Sequence, residues 1–315
     1  MTLTADRIIV IEQPWLKVGC VLGEGPLFDP LTSLLHFVDI SEKKVISVFH
    51  INIQNLELSV EEFEVPISCL ALRRNAPGLA GTTAQGFALL SGNSTISYLC
   101  KPLSPQDLPF TRFNDGACDS KGRFFAGTIY NPEKGIPGKL YRYDPETRTC
   151  DVVDEGPFTD SNGLGWSPDE KTFYFTDSLV NKIYAYDYDD GHLRNRRLFI
   201  DAIEKGFMEN TFCDGLCIDD AGGIWSARWG ASSIVRFSKE GDPDFQIRIP
   251  TALNVTSCCF GGDRDNNDQM FITTAHCGAN GGDGSRQKSY PDSGHIFRAD
   301  LSGLFRGSER SKFGA

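Results

Sequence analysis

The stretch Ser167-Pro-Asp-Glu-Lys-Thr-Phe-Tyr-Phe-Thr-Asp-Ser-Leu-Val-Asn-Lys-Ile-Tyr-Ala-Tyr-Asp-Tyr-Asp189 contains the pattern that decides the fold. It has a turn at Pro168-Asp169-Glu170, a short strand pattern from Thr172 to Asp177 and a second, aromatic-rich strand pattern from Lys182 to Tyr188. Short runs of alternating apolar and polar residues, bounded by Asp, Asn and Pro, are typical of β-strands joined by turns. The stretch therefore predicts two consecutive β-strands after an Asp-containing turn.

The same pattern recurs along the chain. Clear copies follow turns at Asp29, Asp119 and Asp219, and weaker copies occupy 67–98 and 263–299. The copies are spaced by about 47 residues, and repeats of this length with about four strands each are typical of β-propellers. The sequence therefore predicts an all-β fold, a six-bladed β-propeller. A two-sheet sandwich or a pair of small β domains is the alternative.

The predicted propeller is a single domain covering residues 1–315, with its core at about 15–300. No Pro/Gly/Ser-rich linker or shift in composition divides the sequence into two halves. One low-complexity stretch at about 278–291 is rich in Gly, Asn and Asp and is expected to be an exposed polar loop within the last repeat.

Composition excludes several classes of function. The 315 residues include Lys+Arg 31 and Asp+Glu 42, a net charge of −11, and no basic cluster. Such a chain is repelled by phosphate backbones and anionic lipids, so neither nucleic acid nor a membrane is an expected partner. No apolar run has transmembrane length, no signal peptide is recognised, and the ten Cys contain no CxxC pair. These features predict a cytoplasmic protein with reduced thiols, and they leave the oligomeric state open.

Four polar side chains share nearly the same phase of the repeat. Glu24, Asn114 and Asp214 each lie five residues before the Asp of their turn, and Asn162 lies seven before it. Each is followed directly, or after one residue, by Gly. A single Asn-Gly or Asp-Gly pair is most often a tight turn. In a radial repeat, however, equal phase means equal position around the axis, so the four side chains are expected to form a ring at one end of the channel.

Two carboxylates and two amides provide hard oxygen donors, which suit Ca²⁺, Mg²⁺ or Mn²⁺. A Zn²⁺ site of the usual kind, with nitrogen and sulfur ligands, is disfavoured. The five His show no HxH or HExxH spacing, and the chain has no Gly-x-Ser-x-Gly elbow or Gly-rich phosphate loop. We therefore expect one central divalent cation, with Ca²⁺ the first candidate and Mg²⁺, Mn²⁺, Zn²⁺ and Fe²⁺ the alternatives. Trp166, Trp225 and Trp229 lie in strand patterns and are interpreted as packing aromatics outside the site.

Five motifs in order resemble the SMP-30/regucalcin/gluconolactonase family. They are Leu22-Gly-Glu-Gly-Pro26 with Phe37-Val-Asp-Ile40, Arg112-Phe-Asn-Asp-Gly116 with Gly122-Arg-Phe-Phe-Ala-Gly-Thr128, Asn162-Gly-Leu-Gly-Trp-Ser167 with Tyr174-Phe-Thr-Asp-Ser178, Cys213-Asp-Gly-Leu216, and Thr256-Ser-Cys-Cys-Phe-Gly-Gly262. The resemblance runs from about residue 15 to about residue 300. It implies a six-bladed propeller that holds one divalent cation and hydrolyses sugar lactones to aldonic acids.

The resemblance also implies roles for individual residues. Glu24, Asn162 and Asp214 match the metal ligands of the family, and Arg112 and Asn114 match its substrate-contacting pair. Whether Asn114 reaches the metal directly or through water is left open by the sequence.

Two departures from the family pattern lie near these residues. An acidic pair is common in the family just after the Gly-Thr of the third repeat, whereas this chain has Asn131-Pro132-Glu133, so its sugar selectivity is expected to differ. The usual Pro-Asp-Gly of the fifth repeat is Cys213-Asp-Gly here, a change beside a ligand that is expected to tune the site without removing it.

Lactone hydrolysis passes through a tetrahedral oxyanion, which a cation at the carbonyl oxygen stabilises as a Lewis acid. Asp214 is the predicted catalytic residue, as the general base toward water, with hydroxide formed at the cation as the alternative. Arg112 is expected to orient hydroxyls or the ring oxygen of a sugar lactone, the predicted small-molecule partner. Two other functions remain as alternatives. One is the hydrolysis of organophosphates or aryl esters, and the other is a non-enzymatic calcium-binding regulator, which would need the ring of oxygen donors but not Arg112.

Overall fold

The structure is a computed structural model that describes residues 3–40, 46–262 and 266–314. Asp263, with which the weakest copy of the repeat begins, lies outside the described residues. The described residues form β-strands and turns, with three short 3₁₀ turns at Ala5–Arg7, Ala279–Gly281 and Gly284–Lys288. No helix in these ranges is long and apolar enough to cross a membrane.

The strands follow one another in six sheets, each a blade of the propeller. Strand β1 (Ile8–Val10) precedes them. Blade 1 contains β2 (Gly23–Asp29), β3 (Leu34–Asp39), β4 (Ile46–Asn52) and β5 (Leu58–Phe63). Blade 2 contains β6 (Ile67–Leu72), β7 (Leu79–Thr83), β8 (Gly86–Ser91) and β9 (Thr95–Cys100). Blade 3 contains β10 (Phe113–Cys118), β11 (Phe124–Thr128), β12 (Gly138–Asp144) and β13 (Thr149–Phe158).

The second half of the chain repeats this arrangement. Blade 4 contains β14 (Ser161–Trp166), β15 (Thr172–Asp177), β16 (Lys182–Asp189) and β17 (His192–Asp201). Blade 5 contains β18 (Phe212–Ile218), β19 (Ile224–Trp229), β20 (Ser233–Phe237) and β21 (Pro243–Arg248). Blade 6 contains β22 (Asn254–Gly261), β23 (Gln269–Ala275) and β24 (Phe297–Asp300). The stretch 167–189 thus forms β15 and β16 with the turn before them.

The blades close into a ring around a central channel. The first strand of every blade contacts the first strand of the next, and β22 of blade 6 contacts β2 of blade 1. Apolar clusters fill the spaces between neighbouring blades; Phe125 of blade 3, for example, packs with Phe173 and Trp166 of blade 4. The prediction of an all-β, six-bladed propeller is therefore confirmed.

The Asp residue in the turn of the repeat has a structural role. Asp219 accepts hydrogen bonds from Gly223 N at 2.7 Å, Trp225 Nε1 at 2.9 Å and Arg236 Nε at 2.7 Å. Asp119 accepts one from Arg123 N at 2.8 Å in the equivalent turn of blade 3. These buried carboxylates fix the turn between the first and second strands of a blade, because each accepts from a main-chain N–H of the turn and from buried side-chain donors.

Both ends of the chain tie blades together. Strand β1 pairs in parallel with β21 at the edge of blade 5, and Leu16 forms an antiparallel bridge with Ile296 beside β24 of blade 6. The C-terminal tail, residues 306–314, runs back along the propeller, where Gly307 bridges Asp219 of blade 5 and Phe313 bridges Arg73 of blade 2.

Candidate active site

A cavity of about 650 Å³ opens at the end of the channel where the first strands of the blades begin. All five site residues predicted from the sequence line this cavity: Glu24, Arg112, Asn114, Asn162 and Asp214. The structure therefore brings the predicted residues together at one place, and the chemical role assigned to each stays a prediction.

A local irregularity in each first strand coincides with the site residue. The pairing register shifts between Glu24 and Leu27 in β2, and between Ser161 and Leu164 in β14. The same shift occurs between Phe113 and Gly116 in β10 and between Cys213 and Leu216 in β18. A β-bulge redirects side chains and increases the local twist. The four polar residues thus share a position in the repeat because a β-bulge recurs at that position in the first strand of their blades.

The glycines that follow the site residues allow the first strands to approach each other closely. A Cβ atom on Gly163 would lie 2.1 Å from Leu216 N, and one on Gly215 would lie 2.2 Å from Ser257 Oγ. Gly25 has a φ of +54°, which L-residues rarely adopt. Gly163 and Gly215 are therefore required because the first strands pack closely around the axis, and Gly25 is required because its backbone is left-handed.

Hydrogen bonds fix the orientation of the two ring amides. Asn162 Nδ2 donates to Ser178 Oγ at 2.7 Å, and Ser178 Oγ donates to Cys213 O at 2.6 Å. Asn114 Nδ2 donates to Asn162 Oδ1 at 3.1 Å, while Arg112 Nη1 donates to Asn114 Oδ1 at 2.7 Å. Both side-chain oxygens therefore accept a hydrogen bond, that of Asn162 from the amide of Asn114 and that of Asn114 from the charged guanidinium of Arg112.

Four carboxyl groups crowd this end of the channel. Burial, followed by repulsion from Asp115, raises the pKa of Glu24 well above its usual range. Burial, followed by repulsion from Glu24, does the same to the pKa of Asp214. Burial also raises the pKa of Asp115 and the pKa of Asp160 to about 6 each, although Arg112 acts in the opposite direction on both.

The charges of this group fit a divalent cation. With Glu24, Asp214 and the two neighbouring aspartates ionised, Arg112 and Arg310 leave two negative charges without compensation. A bound dication would balance them and reverse the pKa shifts. Within residues 3–40, 46–262 and 266–314, no three His, Cys, Asp or Glu side chains form a metal-binding group. Such a site would therefore need an amide oxygen such as that of Asn162, and two carboxylates with an amide are donors that hard cations accept.

Several cavity residues were not predicted from the sequence. Trp229, interpreted from the sequence as a packing residue, does pack against an apolar cluster, and it also lies in the cavity wall. Asp160 lies two positions before Asn162 and also lines the cavity. The polar stretch expected as an exposed loop is mostly exposed, but residues 279–283 also form part of the cavity rim. Tertiary structure decides these placements, and the sequence pattern around each residue carries no signal for them.

The opposite end of the channel is built differently. A second cavity, of about 460 Å³, lies where the first strands end and is lined by Leu70, Leu164, Leu216 and residues 308–311 of the C-terminal tail. Between the two cavities, Arg310 and Asp115 line a small pocket, and Arg310 lowers the pKa of Asp115 against the larger effect of burial. The four carboxyl groups of Glu24, Asp115, Asp160 and Asp214 are called the acidic ring below. The tail therefore supplies one of the two arginines near this acidic ring.

The fold and the site together define a β-propeller with an acidic, cation-fitting group at one end of its channel. The family described as "SMP-30/Gluconolactonase/LRE-like region" matches residues 22–276, and the chain belongs to this family. The resemblance seen in the motifs is thereby confirmed.

Individual relatives agree with this assignment. Regucalcin of Homo sapiens is 32% identical over 301 residues, covering 90% of this chain and 94% of the relative. Among solved structures, a calcium-binding protein, regucalcin, from Agrobacterium tumefaciens superposes with a TM-score of 0.84 at 21% identity, over 98% of this chain and 99% of that one. A gluconolactonase from Xanthomonas campestris superposes with a TM-score of 0.64 at 19% identity, over 82% and 84% of the two chains. At these identities the two structures support the fold.

Proposed function

We propose that this protein is a metal-dependent hydrolase that opens sugar lactones to aldonic acids. Its family includes gluconolactonases, which suggests an enzyme of lactone hydrolysis. The observation that carries the proposal is the convergence of oxygen donors and a guanidinium on one cavity: Glu24, Asn162 and Asp214 beside Arg112 and Asn114. The cavity volume of about 650 Å³ lies within the range of about 300–1,000 Å³ that is usual for small-molecule sites.

Glu24, Asn162 and Asp214 would hold the cation. When bound, a divalent cation there would polarise the lactone carbonyl and stabilise the negative charge of the transition state. Ser178 supports this set because it fixes the amide of Asn162 and also binds the main chain of Cys213, the residue before Asp214. One hydroxyl thus positions donors from two blades.

The remaining residues would handle the substrate and the proton. Asp214 would accept the proton of the attacking water, since a carboxylate beside the scissile bond is a suitable general base. Arg112 would donate hydrogen bonds to oxygens of the sugar, and its bond to Asn114 Oδ1 holds the guanidinium in place. Asn114 Oδ1 accepts from the charged Arg112 at 2.7 Å, whereas Asn162 Oδ1 accepts only from a neutral amide at 3.1 Å. We therefore infer that Asn114 orients the arginine and that Asn162 is the better cation ligand of the two.

Hydrolysis of a panel of substrates tests the proposal. Five- and six-membered aldonolactones, a phosphotriester and an aryl ester would each be assayed in chelated protein and after titration with Ca²⁺, Mg²⁺ or Mn²⁺. We expect cation-dependent turnover that is fastest for the aldonolactones. Glu24→Gln should abolish this activity, while the matched exchange Glu64→Gln on an exposed residue should not change it.

Other outcomes would favour the other classes. Turnover that is faster for the phosphotriester or aryl ester would indicate an organophosphate or aryl-ester hydrolase. Stoichiometric Ca²⁺ binding without turnover of any substrate would indicate a binding protein, as the regucalcin of Agrobacterium tumefaciens is described to be. Full lactonase activity in exhaustively chelated protein would contradict the proposed dependence on a metal.

A further inference from the structure

Asp160 carries a carboxylate that lines the cavity but has no role in the proposed mechanism. It lies between β13 and β14, and its main chain is held on both sides. Its N–H donates to Asp177 Oδ1 at 3.3 Å, and its C=O accepts from Ser178 N at 3.0 Å. It also forms an antiparallel bridge with Ile129 of blade 3. The backbone of Asp160 is therefore rigidly placed at the cavity wall.

The structural hydrogen bonding around Asp160 is done by a different carboxylate. Asp177 Oδ1 accepts from Thr159 N at 2.9 Å and from Thr159 Oγ1, in addition to Asp160 N. By contrast, no hydrogen bond joins the Asp160 carboxylate to any other residue in the described ranges. A polar group that is half-buried at a cavity and is not used by the fold is available to a ligand.

The other acidic side chains at the cavity have different surroundings. Glu24 and Asp214 are buried deep in the ring, with exposed fractions of 7% and 6%. Asp283 at the rim caps its own turn, since its Oδ1 accepts from Ser285 N at 2.9 Å and from Ser285 Oγ at 2.6 Å. Glu133, in the segment where the family often has its acidic pair, is exposed and does not line the cavity.

The position of Asp160 gives it a chemical partner. Arg112 lines the same cavity and is the cation that acts on the Asp160 carboxylate. A guanidinium only donates hydrogen bonds, whereas a carboxylate only accepts them. A sugar hydroxyl does both. An arginine and a carboxylate on one wall can therefore bind a hydroxyl, or two adjacent hydroxyls, more completely than either residue can separately.

We propose that Asp160 determines specificity for hydroxylated substrates, by accepting a hydrogen bond from a hydroxyl of the lactone while Arg112 donates to the substrate from the same wall. This inference rests on the proposed lactonase function. It adds a hydrogen-bond acceptor beside Arg112, whose guanidinium can only donate.

Asp160→Asn and Asp160→Ala would be compared with wild type on a six-membered hexonolactone and on the unsubstituted six-membered lactone. Glu133→Gln, on an exposed residue outside the cavity, is the matched control. We expect kcat/KM for the hexonolactone to fall about 10- to 100-fold, mainly through KM, because a charged hydrogen bond to substrate is lost. The rate on the unsubstituted lactone should stay within about 2-fold, because that lactone has no hydroxyl to donate.

Two binding measurements separate this inference from the proposed function. Calorimetric titration with Ca²⁺ should still show one bound cation in Asp160→Asn, with a weaker affinity than in wild type, because the variant removes one nearby negative charge but none of the proposed ligands. A 1,5-anhydrohexitol, a ring polyol without a carbonyl, should bind wild type and bind Asp160→Asn about 10-fold more weakly. Tryptophan fluorescence measures this binding, because one of the four tryptophans, Trp229, lies in the cavity wall.

The outcomes are distinguishable. If wild type turns over no lactone but the polyol binds in an Asp160-dependent way, the proposed function fails and the inference stands. Equal slowing of both lactones, loss of Ca²⁺ binding in Asp160→Asn, absence of polyol binding in wild type, or an unchanged preference for the hexonolactone would each overturn it.

Discussion

At the scale of single residues, the acidic ring concentrates like charges that the fold does not neutralise. Glu24 and Asp214 are both buried; the charge of Glu24 raises the pKa of Asp214, and the charge of Asp115 raises the pKa of Glu24. Groups that repel each other in this way cost folding free energy unless a cation or a proton compensates them. In the proposed metal site, this repulsion would lower the stability of the cation-free protein, and a bound cation would restore it.

Asp214→Asn tests how this buried charge affects stability with and without a cation. In chelator, the variant should be at least as resistant to heat as wild type, because one buried negative charge has been removed. With Ca²⁺ at about 100 times its Kd, wild type should gain about 2.7 kcal/mol of stability, and the variant should gain almost nothing. Thermal melting of both proteins with chelator and with Ca²⁺ measures the effect. An equal Ca²⁺-dependent gain in the two proteins would show that Asp214 is not a ligand.

At the scale of strands, the sequence carries the positions of the site residues but not the reason for them. Equal phase correctly places Glu24, Asn114, Asn162 and Asp214 at one cavity, because a register shift recurs in the first strand of their blades. A Gly after Asn or Asp is by itself most often part of a tight turn. Gly163 and Gly215 instead serve contacts between blades, which only the assembled ring reveals.

Gly163→Ala should therefore be costly. Its Cβ would lie 2.1 Å from Leu216 N, a main-chain atom of the neighbouring first strand that cannot move without displacing Asp214. We expect a loss of about 1–3 kcal/mol in the free energy of unfolding, together with weaker cation binding. Gly92→Ala is the matched control, because its Cβ would meet nothing within 4 Å. Urea unfolding and Ca²⁺ titration measure the two effects, and equal behaviour of the two variants would refute the close-approach explanation.

A histidine pair joins β3 and β4 of blade 1. His36 Nδ1 and His50 Nδ1 lie 2.6 Å apart, and burial, followed by the charge of His50, lowers the pKa of His36 to about 4. Asp29 opposes this shift in the pKa of His36, and burial also lowers the pKa of His50 against the opposing effect of Glu61. The strand pattern around His36 predicts a structural histidine, in agreement with its burial.

The pair makes stability depend on pH. Because His36 has a lower pKa in the folded state, the unfolded chain binds more protons between pH 6.5 and about 4, and the contribution of the neutral pair is lost as the pH falls through that range. From pH 7.5 to pH 5, His36 should account for a loss of about 2 kcal/mol. His36→Gln should remove this part of the decline, whereas His192→Gln, on an exposed residue, should keep it. Urea unfolding at several pH values measures the loss of free energy of unfolding. An equal loss in wild type and His36→Gln would show that His36 does not cause this pH dependence.

At the scale of the whole molecule, the period of the repeat predicts the number of blades, but the closure of the ring has no counterpart in the pattern. The N-terminal segment joins blades 5 and 6, and the tail crosses from blade 5 to blades 2 and 3. Arg310 reaches the channel from that tail, so the second arginine near the acidic ring could not be found from any repeat. Contacts between the ends of the chain and distant blades depend on three-dimensional closure, which a local pattern does not encode.

Phe313 is the residue through which the tail holds the ring. It is fully buried, and its ring centroid lies 6.1 Å from that of Phe124 and 6.0 Å from that of Tyr143, both in blade 3. Its N–H donates to Leu72 O of blade 2 at 2.8 Å, and its C=O accepts from Arg74 N at 2.9 Å. One side chain and its backbone thus join two blades at the end of the channel opposite the candidate active site.

Phe313→Ala should lower the free energy of unfolding by about 3–5 kcal/mol, because it removes a buried aromatic ring from an interface between blades. Leu304→Ala, in the chain leading to the tail and 57% exposed, should change it by less than about 0.5 kcal/mol. Ca²⁺ affinity of folded Phe313→Ala should match that of wild type, since the acidic ring lies at the other end of the channel. Urea unfolding and calorimetric Ca²⁺ titration of the three proteins give both quantities. If Phe313→Ala unfolds at the same urea concentration as wild type, the tail does not hold the ring closed; if it loses Ca²⁺ binding while still folded, the two ends of the channel are coupled through Arg310.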